Sequence, residues 1–434
     1  MASSSSDVQM NARKELIVIC IACAIVRLPW IFMVPMVEAP DEFAHYWVIK
    51  FIAENLRLPS AQEVIAGGPS AVYGSMPHLG YIPHIVAAKL LPFWDISLAD
   101  RFGSLFAGIV VVAVAWRIGR ELFPNSKKLA IALPLTLLFH PQFVLVNSYA
   151  NNDSTTAALT SGILLILIIF LKRGVTLNYS LLVGFLAGWV ALSKYSGYAI
   201  FPVIGFAMFG SFFIHVTPVM SGLACLGSAL SLALAACLWW FVRNHHEFAG
   251  DWLGTVTMRN TWAATYHRDL NYHESIWQVL RSFNWWQLSF NSFWAMFGYM
   301  TRSVWQPVYL LYLLFTIATI GGVIRRCVHR VKEGLPRTRE EWIEPSCWIM
   351  MVLCLVINFG AMVWASTANL GGPQGRYLFS SEIPIAALIL AGLSAVTGKM
   401  GEKLAIAFVV YNALVTIGSF IWLAPIYGFH LKTF

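Results

Sequence analysis

The sequence predicts an all-α, polytopic membrane protein of about eleven helical spans, and three observations carry that prediction. The 434 residues are 58% hydrophobic and only 12% charged, with a mean hydropathy of +0.67, whereas an ordinary soluble domain carries about 25% charged residues. Apolar segments of roughly 20 residues recur from end to end, and in lipid such segments must be helices, because an open strand leaves its backbone unsatisfied. The basic residues fall in short connections that alternate along the chain, the pattern that orients a multi-pass protein. The net charge of +8 is therefore an orientation signal. It predicts contact with membrane lipids and no nucleic-acid partner.

The spans are expected near 16–36, 99–119, 128–147, 154–171, 179–193, 196–214, 218–241, 304–324, 346–366, 376–396 and 404–424. Arg13-Lys14 precedes the first and holds residues 1–15 as a cytosolic tail. That first segment is too long for a signal-peptide core and lacks a small-residue cleavage site, so it is retained. Arg117, Arg120, Lys127 and Lys128 then share the cytosolic side with Lys172 and Arg173, with the Arg325 to Arg339 cluster, and with Lys399 and Lys403. Residues 37–98, Asn147 to Asp153, Ser193-Lys194-Tyr195, 242–303 and Thr367 to Arg376 fall together on the outer face. One transmembrane domain, 16–427, thus carries two extracytoplasmic elaborations bearing amphipathic helices, 37–98 and 242–303, and ends in a short outer tail, 428–434. Leu79 to Phe93, broken by Pro83 and Pro92, reads as a re-entrant or surface-lying helix. Trp286, Phe290, Phe293 and Phe297 form one helical stripe, which reads first as an interfacial helix. The seven cysteines lie within or beside spans and predict no disulfide framework.

Charge is scarce, so its positions are informative. Asp41 and Glu42, in Pro40-Asp41-Glu42-Phe43-Ala44-His45, emerge on the outer face directly after the first span. Such a pair can act as general base, hold a metal, or cap a helix; Pro40 and the helix dipole favour capping as much as catalysis. His45 follows one turn later on the same face. Asp153, after Asn151-Asn152, either caps the next helix or orients an acceptor or a cation. Arg27 lies in mid-span, where a charge costs about 2.5–3.5 kcal/mol. With Glu382 it forms either a structural pair or, the favoured reading, two walls of a water-filled cavity opening outward. Lys194, Arg243 and Arg376 stand at outer ends of spans. Arg376, within Gly371-Gly372-Pro373-Gln374-Gly375-Arg376-Tyr377, combines flexible backbone with a guanidinium that can grip phosphate. The histidines at 245, 246, 267 and 273 show no zinc spacing, so no metal is assigned.

Taken together, these residues resemble the C-type glycosyltransferases, polytopic enzymes that use polyprenyl-phosphate sugars, including the protein O-mannosyltransferases and the lipid A aminoarabinose transferases. Arg27 leading to Pro40-Asp41-Glu42-x-x-His45 is similar to the superfamily's first-loop acidic motif, and Asp100-Arg101-Phe102 to its next span. Asn151-Asn152-Asp153 occupies the place of its second acidic position. Trp239 to Asn244, Ser292 to Gly298 and Gln374-Gly375-Arg376-Tyr377-Leu378 resemble later signatures of a bacterial branch. Met76-Pro77-His78 departs from the His-Pro-Pro type element of that branch.

The resemblance implies inverting transfer of a sugar from a polyprenyl-phosphate donor to a glycan, lipid or protein hydroxyl at the outer face of a bacterial cytoplasmic membrane. It implies Asp41 as general base with Glu42 as the second catalytic carboxylate. His45, Asn152 and Asp153 would position the acceptor or a cation. Lys194, Arg243 and Arg376 would bind the donor phosphate, supported by Arg27, Arg101, Gln374 and Tyr377. A divalent cation, Mg or Mn, is the one cofactor it admits. Two rivals remain: a secondary transporter or lipid flippase, kept in play by Arg27 and Glu382, and an outer-leaflet polysaccharide polymerase or ligase relying on arginines.

Overall fold

The computed structural model describes residues 5–267, 273–368, 372–396 and 398–429. Residues 369–371 of the glycine-rich turn and 430–434 of the expected outer tail lie outside the described residues. The chain enters as α1 (Ser5–Met33). The first loop holds α2 (Glu42–Asn55), α3 (Ala61–Gly67), α4 (Ile82–Leu90) and α5 (Ile96–Ala99). In α3 a capping box between Ser60 and Glu63 starts the helix. Then follow α6 (Arg101–Leu122), α7 (Lys127–Leu138), α8 (Pro141–Val146), α9 (Asp153–Arg173), α10 (Leu177–Ala191), α11 (Ile200–His215) and α12 (Val219–Glu247). The second loop carries α13 (Thr255–Tyr266), α14 (Ile276–Arg281) and α15 (Phe283–Trp294). A hairpin of β1 (Met296–Phe297) and β2 (Arg302–Ser303) closes it, with Met296 opposite Ser303. The helices α16 (Gln306–Glu333), α17 (Ile343–Thr367), α18 (Glu382–Val396) and α19 (Gly398–Ile426) complete the bundle.

Nine helical stretches among the described residues are long and apolar enough to cross a membrane, and the chain is a multi-pass helical membrane protein. The remaining two of the eleven expected spans are a 15-residue apolar helix, α10, and the 128–147 segment, broken into α7 and α8. Pro141 explains the break: it has no N–H for the carbonyl four residues back, and it biases His140 to an extended backbone, φ −69° and ψ 113°. The segment around Pro83 forms α4, whose nine residues extend about 14 Å, too short to cross.

The broken helix corrects the reading of two buried charges. The Arg27 guanidinium donates to the Leu137 and Leu138 carbonyls, both at 3.1 Å, and to Asn147 Oδ1 at 3.2 Å. It supplies the N–H that Pro141 cannot. Glu382 instead meets His140 Nδ1 at 2.6 Å, while His140 Nε2 bonds the Phe293 carbonyl at 2.7 Å. Arg27 and Glu382 therefore bond to separate partners and not to each other.

Helix α6 fixes the two ends of the bundle. Arg101 at its start packs against the first loop, whereas its last turns reach an ion cluster of Arg120–Glu15, Lys172–Glu121 and Arg173–Glu121. The connections rich in Arg and Lys share one end, and the two elaborated loops stand at the other.

Candidate active site

At the loop end, a cavity of about 820 Å³ opens between the first loop, the Ser193–Ser196 turn, α13, α17 and the Gly372–Tyr377 turn. Asp41 lines it. Its backbone is left-handed (φ 61°, ψ 7°), a conformation that aspartate tolerates better than most residues, and its carboxylate makes no capping bond to α2. The side chain instead turns toward the cavity. Arg376 donates to Oδ2 at 2.5 Å, across 335 residues of sequence, and the Tyr299 hydroxyl donates to Oδ1 at 3.0 Å. Burial alone would raise the Asp41 carboxyl, but the Arg376 charge and these two hydrogen bonds hold it below the ordinary carboxylate value.

Arg376 is gripped on every side. It donates to Gln374 Oε1 at 2.6 Å, to the Pro40 carbonyl at 3.3 Å and to the Tyr149 hydroxyl at 3.2 Å. Its turn lies against α15, where the Gly375 N–H donates to Ser292 Oγ at 2.8 Å. A Cβ on Gly375 would sit 2.3 Å from the Phe293 nitrogen, so only glycine fits. The supporting residues Gln374 and Tyr377 both line the cavity with it.

A second ion pair stands beside the first. Lys194 Nζ donates to Asp153 Oδ1 at 2.6 Å, and burial lowers the lysine below its ordinary value while Asp153 opposes the shift. Asp153 opens α9 without a capping bond, and its Oδ2 is buried with no partner among the described residues. Lys194 and Asn152 reach the cavity wall; Asp153 lies behind them. His45 also lines the cavity, stacked on Tyr73 at 4.8 Å and bonded through Nδ1 to the Tyr81 hydroxyl at 2.7 Å. Burial pushes its imidazole down to about 3, so at neutral pH it is uncharged.

Other expected site residues lie elsewhere. Glu42 is fully buried away from the cavity wall, clamped by Arg101 through two bonds of 2.7 Å and by the Ala150 N–H at 3.0 Å. Arg101 also donates to the Ile31 and Val34 carbonyls, so this pair fastens the end of α1 to α2. Arg243 donates to the Pro59 carbonyl and to Asn244 rather than lining the cavity. Conversely, Arg259, Trp262 and Tyr299 line the cavity, and no motif drew attention to them. Among the described residues, the lining thus holds the cations Lys194, Arg259 and Arg376 and one carboxylate, Asp41. A divalent cation fits poorly: each carboxylate already carries a basic partner, and among the described residues no three His, Cys, Asp or Glu groups converge.

The helix order and the loop-end cavity define a fold class. In sequence, residues 86–241 match the family described as dolichyl-phosphate-mannose-protein mannosyltransferase. No curated protein sequence matches the chain. In structure, it is similar to ArnT from Cupriavidus metallidurans bound to undecaprenyl phosphate, with a TM-score of 0.54, 12% identity, and coverage of 94% of this chain and 76% of that one. It is also similar to the Archaeoglobus fulgidus oligosaccharyltransferase in complex with Zn and sulfate, at a TM-score of 0.53 and 14% identity over 95% of this chain and 52% of that one. The archaeal oligosaccharyltransferase AglB in complex with an inhibitory peptide and a dolichol-phosphate gives a TM-score of 0.51, again at 14% identity, covering 96% and 56%. The chain spans about half the length of the archaeal enzymes. Its fold is that of the C-type glycosyltransferases, as the motif resemblance implied.

Proposed function

We propose that this protein is an inverting glycosyltransferase that moves a sugar from a polyprenyl-phosphate donor to a hydroxyl acceptor. One observation carries the reading: a cavity at the loop end of the membrane bundle brings Asp41 of the first loop against Arg376 of the last glycine-rich turn, with Lys194 and Arg259 also in its lining. A lipid-linked phosphate donor needs both features, a site beside the bilayer and cations where the leaving group gathers charge.

In this reading the acceptor hydroxyl binds Asp41 and attacks the anomeric carbon from the face opposite the phosphate. The bond from that carbon to the phosphate oxygen breaks, and its electron pair leaves with the polyprenyl monophosphate. The acceptor proton passes to Asp41, and the configuration inverts. Because Arg376 depresses the basicity of Asp41, proton transfer comes late, when bond formation has already acidified the hydroxyl. Arg376, Lys194 and Arg259 receive the leaving phosphate; Asn152 and His45 shape the acceptor side.

The alternation of basic connections supports a cytosolic amino terminus, with the cavity facing the periplasmic or exterior side of a bacterial inner membrane. The acceptor is a glycan, a lipid or a protein within reach of the two loops. The transporter alternative loses its main support, since Arg27 and Glu382 bond internally. Mass spectrometry of lipid-linked sugars and surface glycans, with and without the gene, tests the proposal. Accumulation of one polyprenyl-phosphate sugar and loss of one glycan decoration are expected. Unchanged pools of both would sink it.

A further inference from the structure

We propose that the Tyr299 phenol occupies the acceptor-hydroxyl position on Asp41 and yields it when the acceptor binds, so that Tyr299 governs which hydroxyls, water included, reach the base. The inference rests on the transferase reading of the same cavity. It starts from the unequal state of the two Asp41 oxygens. Oδ2 is tied to Arg376 at 2.5 Å. Oδ1 accepts the Tyr299 hydroxyl at 3.0 Å, which is the bond an acceptor hydroxyl must make to lose its proton there. The phenol thus presents to Oδ1 the same kind of O–H donor that an acceptor would bring.

The surrounding backbone is built to present that hydroxyl. Gly298, Tyr299 and Met300 have φ of 58°, 52° and 63°, three left-handed residues in succession, of which two are not glycine. A Cβ on Gly298 would lie 2.6 Å from a Glu38 carboxylate oxygen. Glu38 then secures both sides of the turn: its carbonyl accepts the Tyr299 N–H at 2.7 Å, and its carboxylate pairs with Arg302 at 3.0 Å. The turn is fixed at Glu38, yet Tyr299 remains 41% exposed at the cavity mouth. Rotation of one side chain is therefore enough to vacate Oδ1, with no movement of the hairpin.

The test uses the full chain in nanodiscs with synthetic polyprenyl-phosphate sugars, water and methyl glycosides as acceptors. Tyr299→Phe removes the competing donor and keeps the ring. Release of free sugar to water is expected to rise about five- to tenfold, the worth of one displaced hydrogen bond, while the KM for a methyl glycoside falls. Equal or slower release overturns the inference. A second readout needs no turnover: 3-fluorotyrosine at position 299 gives a 19F signal that should shift in Asp41→Asn and move the same way when methyl glycoside saturates the wild type. A signal that ignores both overturns the inference even if sugar transfer stands. A signal that shifts in both, in a protein that transfers sugar from no donor, upholds the hydroxyl position and removes the transferase reading instead.

Discussion

Two of the buried charge clusters among the described residues are equally hidden: Arg27 at the broken helix is 0% exposed and Arg376 at the cavity 5%. Burial alone therefore does not separate structure from function. Their partners do. Around α7 and α8, Arg27 serves the Leu137 and Leu138 carbonyls and Asn147 Oδ1, and His140 links Glu382 to the Phe293 carbonyl, so this cluster satisfies backbone that Pro141 and the chain's turns leave free and lines no part of the cavity. At the cavity, Arg376 and Lys194 end on the side chains of Asp41 and Asp153, and the pairs border open volume. A buried cation in an apolar bundle is first a replacement for missing hydrogen bonds. It becomes a site candidate when its partner is another ionisable side chain at a cavity wall.

Exchanging one atom group in each cluster tests that distinction. Asp41→Asn keeps the shape and an acceptor for Arg376 but removes the base, so kcat for sugar transfer should fall about 10²–10⁴-fold. Melting in detergent should change little. An unaffected kcat would make the cavity cluster as structural as the Arg27 cluster at the broken helix. Arg376→Ala removes preorganised charge at the leaving phosphate and should lower kcat about 10²–10³-fold. A polymerase relying on arginine alone predicts this second loss without the first, so the two variants together separate the mechanisms.

Arg27→Met should do the reverse. It deletes three interhelical bonds, and at about 0.6 kcal/mol each within a membrane bundle the loss is about 2 kcal/mol. Thermal stability should drop while turnover per folded molecule holds. If turnover falls with stability intact, Arg27 belongs to the site and the contrast between the clusters fails.

The same contrast explains what the sequence could and could not show. Hydropathy and the alternation of basic residues give the helical bundle, because spans must satisfy their own backbone and each leaves an apolar signature. Asp41, Lys194 and Arg376 are legible as charge at span ends. The role of Arg27 is not, because the carbonyls it serves become available only through a proline 114 positions later, a relation set by packing. Glu42 sits next to Asp41 in sequence yet points into the α1–α2 clamp, since adjacent residues at a helix start face different directions. Tyr299 and Arg259 lie among many aromatic and polar loop residues, and no spacing marks them. Pro141 within an otherwise spanning segment was the one signal from which the break, and so a demand for donors there, could have been inferred.

Acidification offers the smallest and most graded comparison between the loop end and the rest of the bundle. His45, His78 and His84 all lie in the first loop, buried, and burial lowers each to about 3. His78 bonds the Gly74 carbonyl and receives the Trp240 indole N–H, while His84 meets Ser104 Oγ at 2.9 Å. The unfolded chain protonates such imidazoles near their ordinary value of about 6.5. Between about 6.5 and 3 the unfolded state therefore holds more protons than the native one. Stability present above that window is lost as the pH falls through it, with a slope on the order of 1 kcal/mol per pH unit for each histidine. Thermal melts from pH 7.5 to 4.5 should decline, and His84→Gln, which retains a hydrogen-bonding group without a titrating one, should flatten the decline. Loss of Trp240 burial, read by fluorescence, should precede loss of helix signal. Were helicity to fail first, the first loop would be no weaker than the bundle it covers, and the wall holding Asp41 would owe nothing to its neutral imidazoles.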